Sequence, residues 1–140
     1  MQAAVLRVKL EDDAAQRGLR AANAVYYQAA LSATPEVVAP RAAEGVEHAW
    51  SVFALRVIER RDALREHLAQ RGIETAVYYP CPLHLQPALA ALGYARGDFP
   101  IAERCSEQLL ALPVHAQLRP EQRAHVSASI AQFFGHARPE

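Results

Sequence analysis

The chain has 140 residues, 51% of them apolar, enough to close one hydrophobic core and too many for a wholly disordered chain. Fifteen basic and fifteen acidic side chains give a formal net charge of zero, which argues against nucleic acid as a main partner, because phosphate binding needs a basic surplus. Two cysteines, Cys81 and Cys105, cannot form a disulfide framework and fit a reducing, cytoplasmic setting.

The N-terminal stretch MQAAVLRVKLEDDAAQ is charged throughout and does not read as a secretory signal. No apolar run reaches the ~20 residues that span a bilayer, so the expected protein is soluble and has no membrane partner. From Gln2 to about Leu31 the spacing predicts one long helix, with Leu6, Leu10, Ala14, Ala21, Val25 and Ala29 recurring at helical intervals. Ser32, Thr34 and Pro35 end it, and a loop is expected to about Glu47. Ala49–Ile58 is rich in β-branched and aromatic residues and apolar on both faces, which predicts a central strand.

A helix follows over Arg61–Arg71, with Leu64 and Leu68 four apart and Gly72 at its C-cap. Ile73–Tyr79 reads as a second strand, stopped by Pro80 and Pro82. Short helices are expected over Gln86–Leu92 and Pro100–Gln108, then a third strand over Leu109–Val114. A final helix starts near Pro120, places Val126, Ile130, Phe133 and Phe134 on its apolar face, and closes at Gly135. The fold class is α/β (α+β): a long N-terminal helix, then a small sheet of about three strands with helices packed on one face.

The segment from Gly72 to Gln122 carries a series of motifs: Tyr78-Tyr79-Pro80, Pro82-Leu83-His84, Gly97-Asp98-Phe99-Pro100, Ala102-Glu103 and Leu112-Pro113-Val114-His115. In this order and at these spacings they closely resemble the C-terminal region of the DegT/DnrJ/StrS family of sugar aminotransferases. Each motif alone is weak; their joint order is specific. The opening QAAVLRVKL is similar to the family's linker helix and HAWSVFALRV to its first small-domain strand.

The resemblance implies the small C-terminal domain of a fold-type I enzyme that binds pyridoxal phosphate as a Schiff base to lysine. It implies transfer of an amino group, commonly from glutamate, to a keto-sugar nucleotide for lipopolysaccharide, surface glycans or antibiotic sugars. It implies homodimers with the active site at the subunit interface. The domain division it implies is 1–31 as linker helix and 48–140 as small domain. The large domain that bears the lysine is not expected among these residues, so no catalytic and no cofactor-binding residue is assigned here, and the chain alone is expected to be inactive.

Lys9 is the one lysine among fifteen basic residues. A Schiff-base lysine needs a pocket that depresses its pKa, whereas Lys9 has Asp12 and Asp13 at i+3 and i+4, the spacing of a solvated charge pair. Tyr78 and Tyr79 are the candidate substrate-binding residues. Strand alternation would set Tyr79 on the side of Ile73, Thr75 and Val77, which reads as core, and Tyr78 on the more open side of Glu74 and Ala76. In the family a His-Tyr pair here contacts the sugar nucleotide. Tyr78 stands where histidine is usual, and a phenol exchanges hydrogen bonds but does not become a cation near neutral pH. Packing at the sheet end is the alternative for both rings.

His84 follows two prolines that stiffen its approach, and the resemblance sets it at the substrate wall. The alternative is a hydrogen-bonding residue of the loop. Cys81 and His84 are too few to hold zinc, and no other histidine pair completes a metal set. Cys105 reads as a core residue. Arg56, within an apolar strand, either binds a substrate anion or carries its charge into water. A different reading of the whole chain is a stand-alone, non-catalytic interaction module derived from such a domain. A hydrolase built on Cys81 and His84 is a third.

Overall fold

The computed structural model describes residues 2–136. Helix α1 spans Gln2–Glu11 and α2 Asp13–Ala30, so the expected single helix is two. Asp12 separates them, and its carbonyl accepts the Gln16 N–H at 3.0 Å as α2 begins. An Asp-Asp pair in a helix interior competes for backbone donors and favours a fresh N-terminus. The two helices differ in packing. α1 buries no residue, whereas α2 buries Asn23, Ala24 and Tyr27.

Three antiparallel strands follow in the spatial order β1 (Val37–Val38), β2 (Phe53–Val57), β3 (Leu109–Leu112). β2 is central, as its composition requires, but shorter than the expected Ala49–Ile58. β1 lies in the stretch expected to be loop: two residues between Pro35 and Pro40 show no periodicity, yet Val37 pairs with Val57 and is buried. The expected strand Ile73–Tyr79 contributes only an isolated bridge, in which Ala76 and Ala111 exchange hydrogen bonds of 3.1 and 2.7 Å. Ile73 is buried and Val77 packs on the core, so burial, not a ladder, explains the apolar composition there.

Helix α3 (Arg61–Ala69) buries Leu64 and Leu68 one turn apart. Gly72, at φ +72°, turns the chain so that the Ile73 N–H closes on the Leu68 carbonyl at 3.0 Å, a left-handed cap that glycine adopts without strain. The expected helix at Gln86–Leu92 is a 3-10 helix, Pro87–Leu92, preceded by a 3-10 turn at Leu83–Leu85. α4 (Pro100–Gln108) and α5 (Pro120–Phe133) complete the chain.

One face of the sheet forms the core. Phe53, Leu55 and Val57 of β2 and Leu110 and Leu112 of β3 join Tyr27 of α2, Leu64 and Leu68 of α3 and Val126 and Ile130 of α5, so α2, α3 and α5 cover one side as the fold class implies. The other side carries Ala54, Arg56 and Ala111. Arg56 is exposed, its charge carried into water. Cys105 departs from expectation. It is half-buried and outside the core cluster, because the buried residues of α4 are Glu103 and Ser106. That polar face bears on the site.

Candidate functional site

After the Ala76 bridge the chain leaves the sheet edge, and Pro80 and Pro82 keep it from rejoining a ladder. Tyr78 is 49% and Tyr79 72% exposed, with ring centroids 5.7 Å apart at 63°. The expectation that Tyr79 enters the core is therefore corrected. Strict alternation needs a continuous strand, and only one residue of this segment pairs. Both phenols are open to bind.

His84 behaves differently. It is 9% exposed, and its Nε2 lies 3.1 Å from Oε1 of Glu103, itself 7% exposed. The same oxygen accepts the Gly97 N–H at 2.8 Å and the Phe99 N–H at 3.4 Å. The Phe99 ring covers His84 with centroids 4.8 Å apart, and Tyr94 packs on Phe99 at 5.1 Å. The Gly97 N–H above all, with His84 and Phe99 adding to it against the opposing effect of burial, holds the Glu103 carboxyl below its ordinary 4.5. Glu103, which side-chain chemistry alone does not single out, joins His84 in this cluster. Its signals in the sequence are the Ala102-Glu103 motif and its place in the first turn after Pro100, where a carboxylate suits the helix dipole.

Tyr78 also borders an open cleft of about 880 Å³ between α2, the Ile73–Tyr78 segment and the start of α5. Arg20 and His125 line it together with Glu74 and Glu121, so it presents both signs of charge. Arg20 Nε is held by the Ala49 carbonyl at 3.0 Å and His125 Nε2 by the Arg71 carbonyl at 3.1 Å.

Among the described residues Cys81 and His84 do not form a Cys-His pair. Cys81 Sγ points to the Pro82 carbonyl at 3.6 Å while His84 Nε2 is engaged by Glu103. Among the described residues no three His, Cys, Asp or Glu side chains cluster to hold a metal. Lys9 stands on α1, which buries nothing, and Asp13 pairs instead with Arg17 at 3.0 Å. An exposed amine on a helix that buries nothing has no walls to enclose an aldehyde cofactor, so Lys9 offers no Schiff-base pocket for pyridoxal phosphate among the described residues. No helix of the described residues is long and apolar enough to cross a membrane.

The geometry has close relatives. The family model for the DegT/DnrJ/EryC1/StrS aminotransferase family matches residues 1–131. The chain is 40% identical over 130 residues to the erythromycin biosynthesis sensory transduction protein EryC1 of Saccharopolyspora erythraea, covering 93% of this chain and 35% of that protein. It is 38% identical over 133 residues to the dTDP-3-amino-3,4,6-trideoxy-alpha-D-glucose transaminase of Streptomyces venezuelae, covering 95% and 35%. The crystal structure of S. venezuelae DesV in complex with a ketimine intermediate superposes with a TM-score of 0.92 at 37% identity, covering 97% of this chain and 36% of that one. The chain thus spans about a third of the length of the relatives it matches, and over that third it belongs to the DegT/DnrJ/EryC1/StrS aminotransferase family.

Proposed function

We propose that these residues form the C-terminal domain of a pyridoxal-phosphate-dependent aminotransferase that moves an amino group, from glutamate, to a keto-sugar nucleotide. In this reading residues 1–31 are the linker to a lysine-bearing large domain and 48–140 the small domain. The products are amino sugars for lipopolysaccharide, surface glycans or antibiotics. The enzyme works as a homodimer in the cytoplasm, a setting that the unpaired Cys81 and Cys105 suit. The 140 residues alone do not transaminate.

The carrying observation is the contrast between Tyr78–Tyr79 and His84. Two exposed phenols stand on a segment whose far end is fixed by a buried His84–Glu103 pair. An exposed, held aromatic pair suits a polar ligand with apolar ring faces, such as a sugar, because each phenol offers a hydrogen bond and a packing surface. His84 supplies the third contact: with Nε2 on Glu103, its Nδ1 has no hydrogen bond among the described residues and is left to exchange one with a sugar hydroxyl. The cofactor supplies the electron sink and is held by the other domain; the residues here bind and orient the sugar and exclude water from its face.

The reading is supported by the family match over residues 1–131 and by relatives named as nucleotide-sugar transaminases. The test is a chimera in which this chain replaces the corresponding third of the S. venezuelae transaminase. Amination of the sugar nucleotide, followed by mass spectrometry, is expected in the chimera. Tyr78→Ala and Tyr79→Ala are expected to raise KM for the sugar nucleotide by about tenfold each, the loss of one good polar contact. A chimera that folds and binds its cofactor but takes no sugar nucleotide contradicts the proposal.

A further inference from the structure

From Ala91 to Ala102 every residue is exposed, including the large apolar side chains of Leu92, Tyr94, Phe99 and Ile101. Such an arm has little core to hold it. Its turn is nevertheless closed by polar contacts. Asp98 Oδ2 accepts the Ala95 N–H at 2.9 Å, and Gly97, at φ +102°, takes a conformation that glycine alone adopts readily. That conformation aims its N–H at Glu103 Oε1. Phe99 N–H and His84 Nε2 reach the same oxygen. One buried atom therefore gathers donors from two separate stretches of chain, the turn at Gly97–Phe99 and the segment that begins at the tyrosines. The backbone around it is also fixed, because Ser106 Oγ donates to the Glu103 carbonyl at 2.7 Å.

The arrangement has a chemical consequence for His84. A carboxylate oxygen only accepts, so Nε2 must carry the ring proton, and in the neutral ring Nδ1 is then the acceptor. Removing the carboxylate removes the reason for that tautomer as well as the anchor of the arm.

We propose that Glu103 is a positioning residue for the sugar site: its Oε1 locks the Gly97–Phe99 turn to the Tyr78–His84 segment and, in the neutral ring, fixes His84 as an Nδ1 acceptor. This rests on the reading that Tyr78, Tyr79 and His84 line that site. A glutamine at 103 keeps an acceptor oxygen but not its charge, whereas alanine keeps neither, so the two variants grade the effect.

The test has two arms. In the 140-residue chain, amide exchange and ring-nitrogen shifts are followed by NMR in Glu103→Ala and Glu103→Gln. The Gly97 and Phe99 amides are expected to exchange about tenfold faster or more in the alanine variant and by a smaller factor with glutamine, as for loss of a charge-assisted bond. The His84 ring shifts toward the other tautomer, while the Leu55 and Leu110 amides stay protected and report an intact sheet. Should the alanine variant fail to fold, the glutamine variant decides. Unchanged exchange at Gly97 and Phe99 with an unchanged His84 tautomer overturns the proposal. In the chimeric enzyme, Glu103→Ala is expected to raise KM for the sugar nucleotide more than it lowers kcat, with Glu103→Gln largely restoring it. Equal loss in both variants, or loss in kcat alone, overturns it. Failure of the underlying reading looks different: the NMR changes occur as expected, but Tyr78→Ala and Tyr79→Ala leave KM unmoved.

Discussion

The Tyr27 hydroxyl donates to the Pro113 carbonyl at 3.0 Å across 86 residues of sequence. Tyr27 is fully buried, packs its ring 5.2 Å from Phe53, and burial pushes its hydroxyl well above the usual tyrosine range, so it stays a neutral donor. α2 is thereby part of the domain core. Tyr27→Phe should cost about 1–2 kcal/mol by leaving the Pro113 carbonyl unpartnered, and Tyr27→Ala about 3–5 kcal/mol through the added cavity. Urea unfolding of the two variants checks both values, and equal losses would contradict the separation of hydrogen bond from packing.

One turn earlier, Asn23 Nδ2 donates to the His115 carbonyl at 3.0 Å and its Oδ1 accepts from Arg123 Nη1 at 3.0 Å. The Arg123 guanidinium also lies 4.7 Å over the Tyr26 ring. Asn23→Ala strands a carbonyl and a guanidinium together and should cost about 2–3 kcal/mol. Pairing it with Arg123→Met in a double-mutant cycle should recover part of that loss; strict additivity would show that the two residues are not coupled.

Acid acts on a specific contact. His136 Nε2 and Glu36 Oε2 are 2.8 Å apart, and this hydrogen bond, above the backbone contact and against burial, lowers the Glu36 carboxyl from its ordinary 4.5. A carboxyl depressed on folding stabilises the fold above its unfolded pKa and loses that contribution as pH falls through the folded value. The His136 amide, bonded to the Ala131 carbonyl at 2.9 Å, should therefore exchange faster as pH drops below about 4.5, after correction for intrinsic exchange. Glu36→Gln should remove that pH dependence. Both groups are about one-third exposed, so global stability should move little.

α1 gives the opposite expectation from α2. Val5, Leu6, Val8 and Leu10 are all more than half exposed, so Leu6→Ser with Leu10→Ser should leave the unfolding midpoint of the rest within about 0.5 kcal/mol. The same changes should reduce self-association of the isolated chain, since an uncovered apolar strip drives non-specific contact. Sedimentation velocity of the two proteins reads this directly; a double variant that associates as strongly as the parent would place the sticky surface elsewhere.

The elements with clear periodicity were legible before the fold was known. Leu64 and Leu68, four apart and followed by Gly72, gave α3 and its cap, and Val126 with Ile130 gave the inner face of α5. The misreadings share one cause, the reach of tertiary contacts. Val37–Val38 is too short to show alternation and is a strand only because Val57 pairs with it. Ile73–Tyr79 has strand composition but meets β3 at a single residue, which freed Tyr79 from the core. The tyrosines were legible as candidates from their motif, and both are exposed. For Glu103 the Ala102-Glu103 motif was visible but its contacts were not, because its donors His84 and Gly97 lie 19 and 6 residues away, in irregular chain that no period describes.

The central claim is that these residues shape a sugar site and leave the cofactor's anchorage to another domain. The most direct measurement adds pyridoxal phosphate to the purified chain, traps adducts with borohydride, maps them by mass spectrometry and assays the same sample with a keto-sugar nucleotide and glutamate. The account predicts no saturable adduct at Lys9 and no aminated sugar. A stoichiometric adduct at Lys9 accompanied by amination would contradict it.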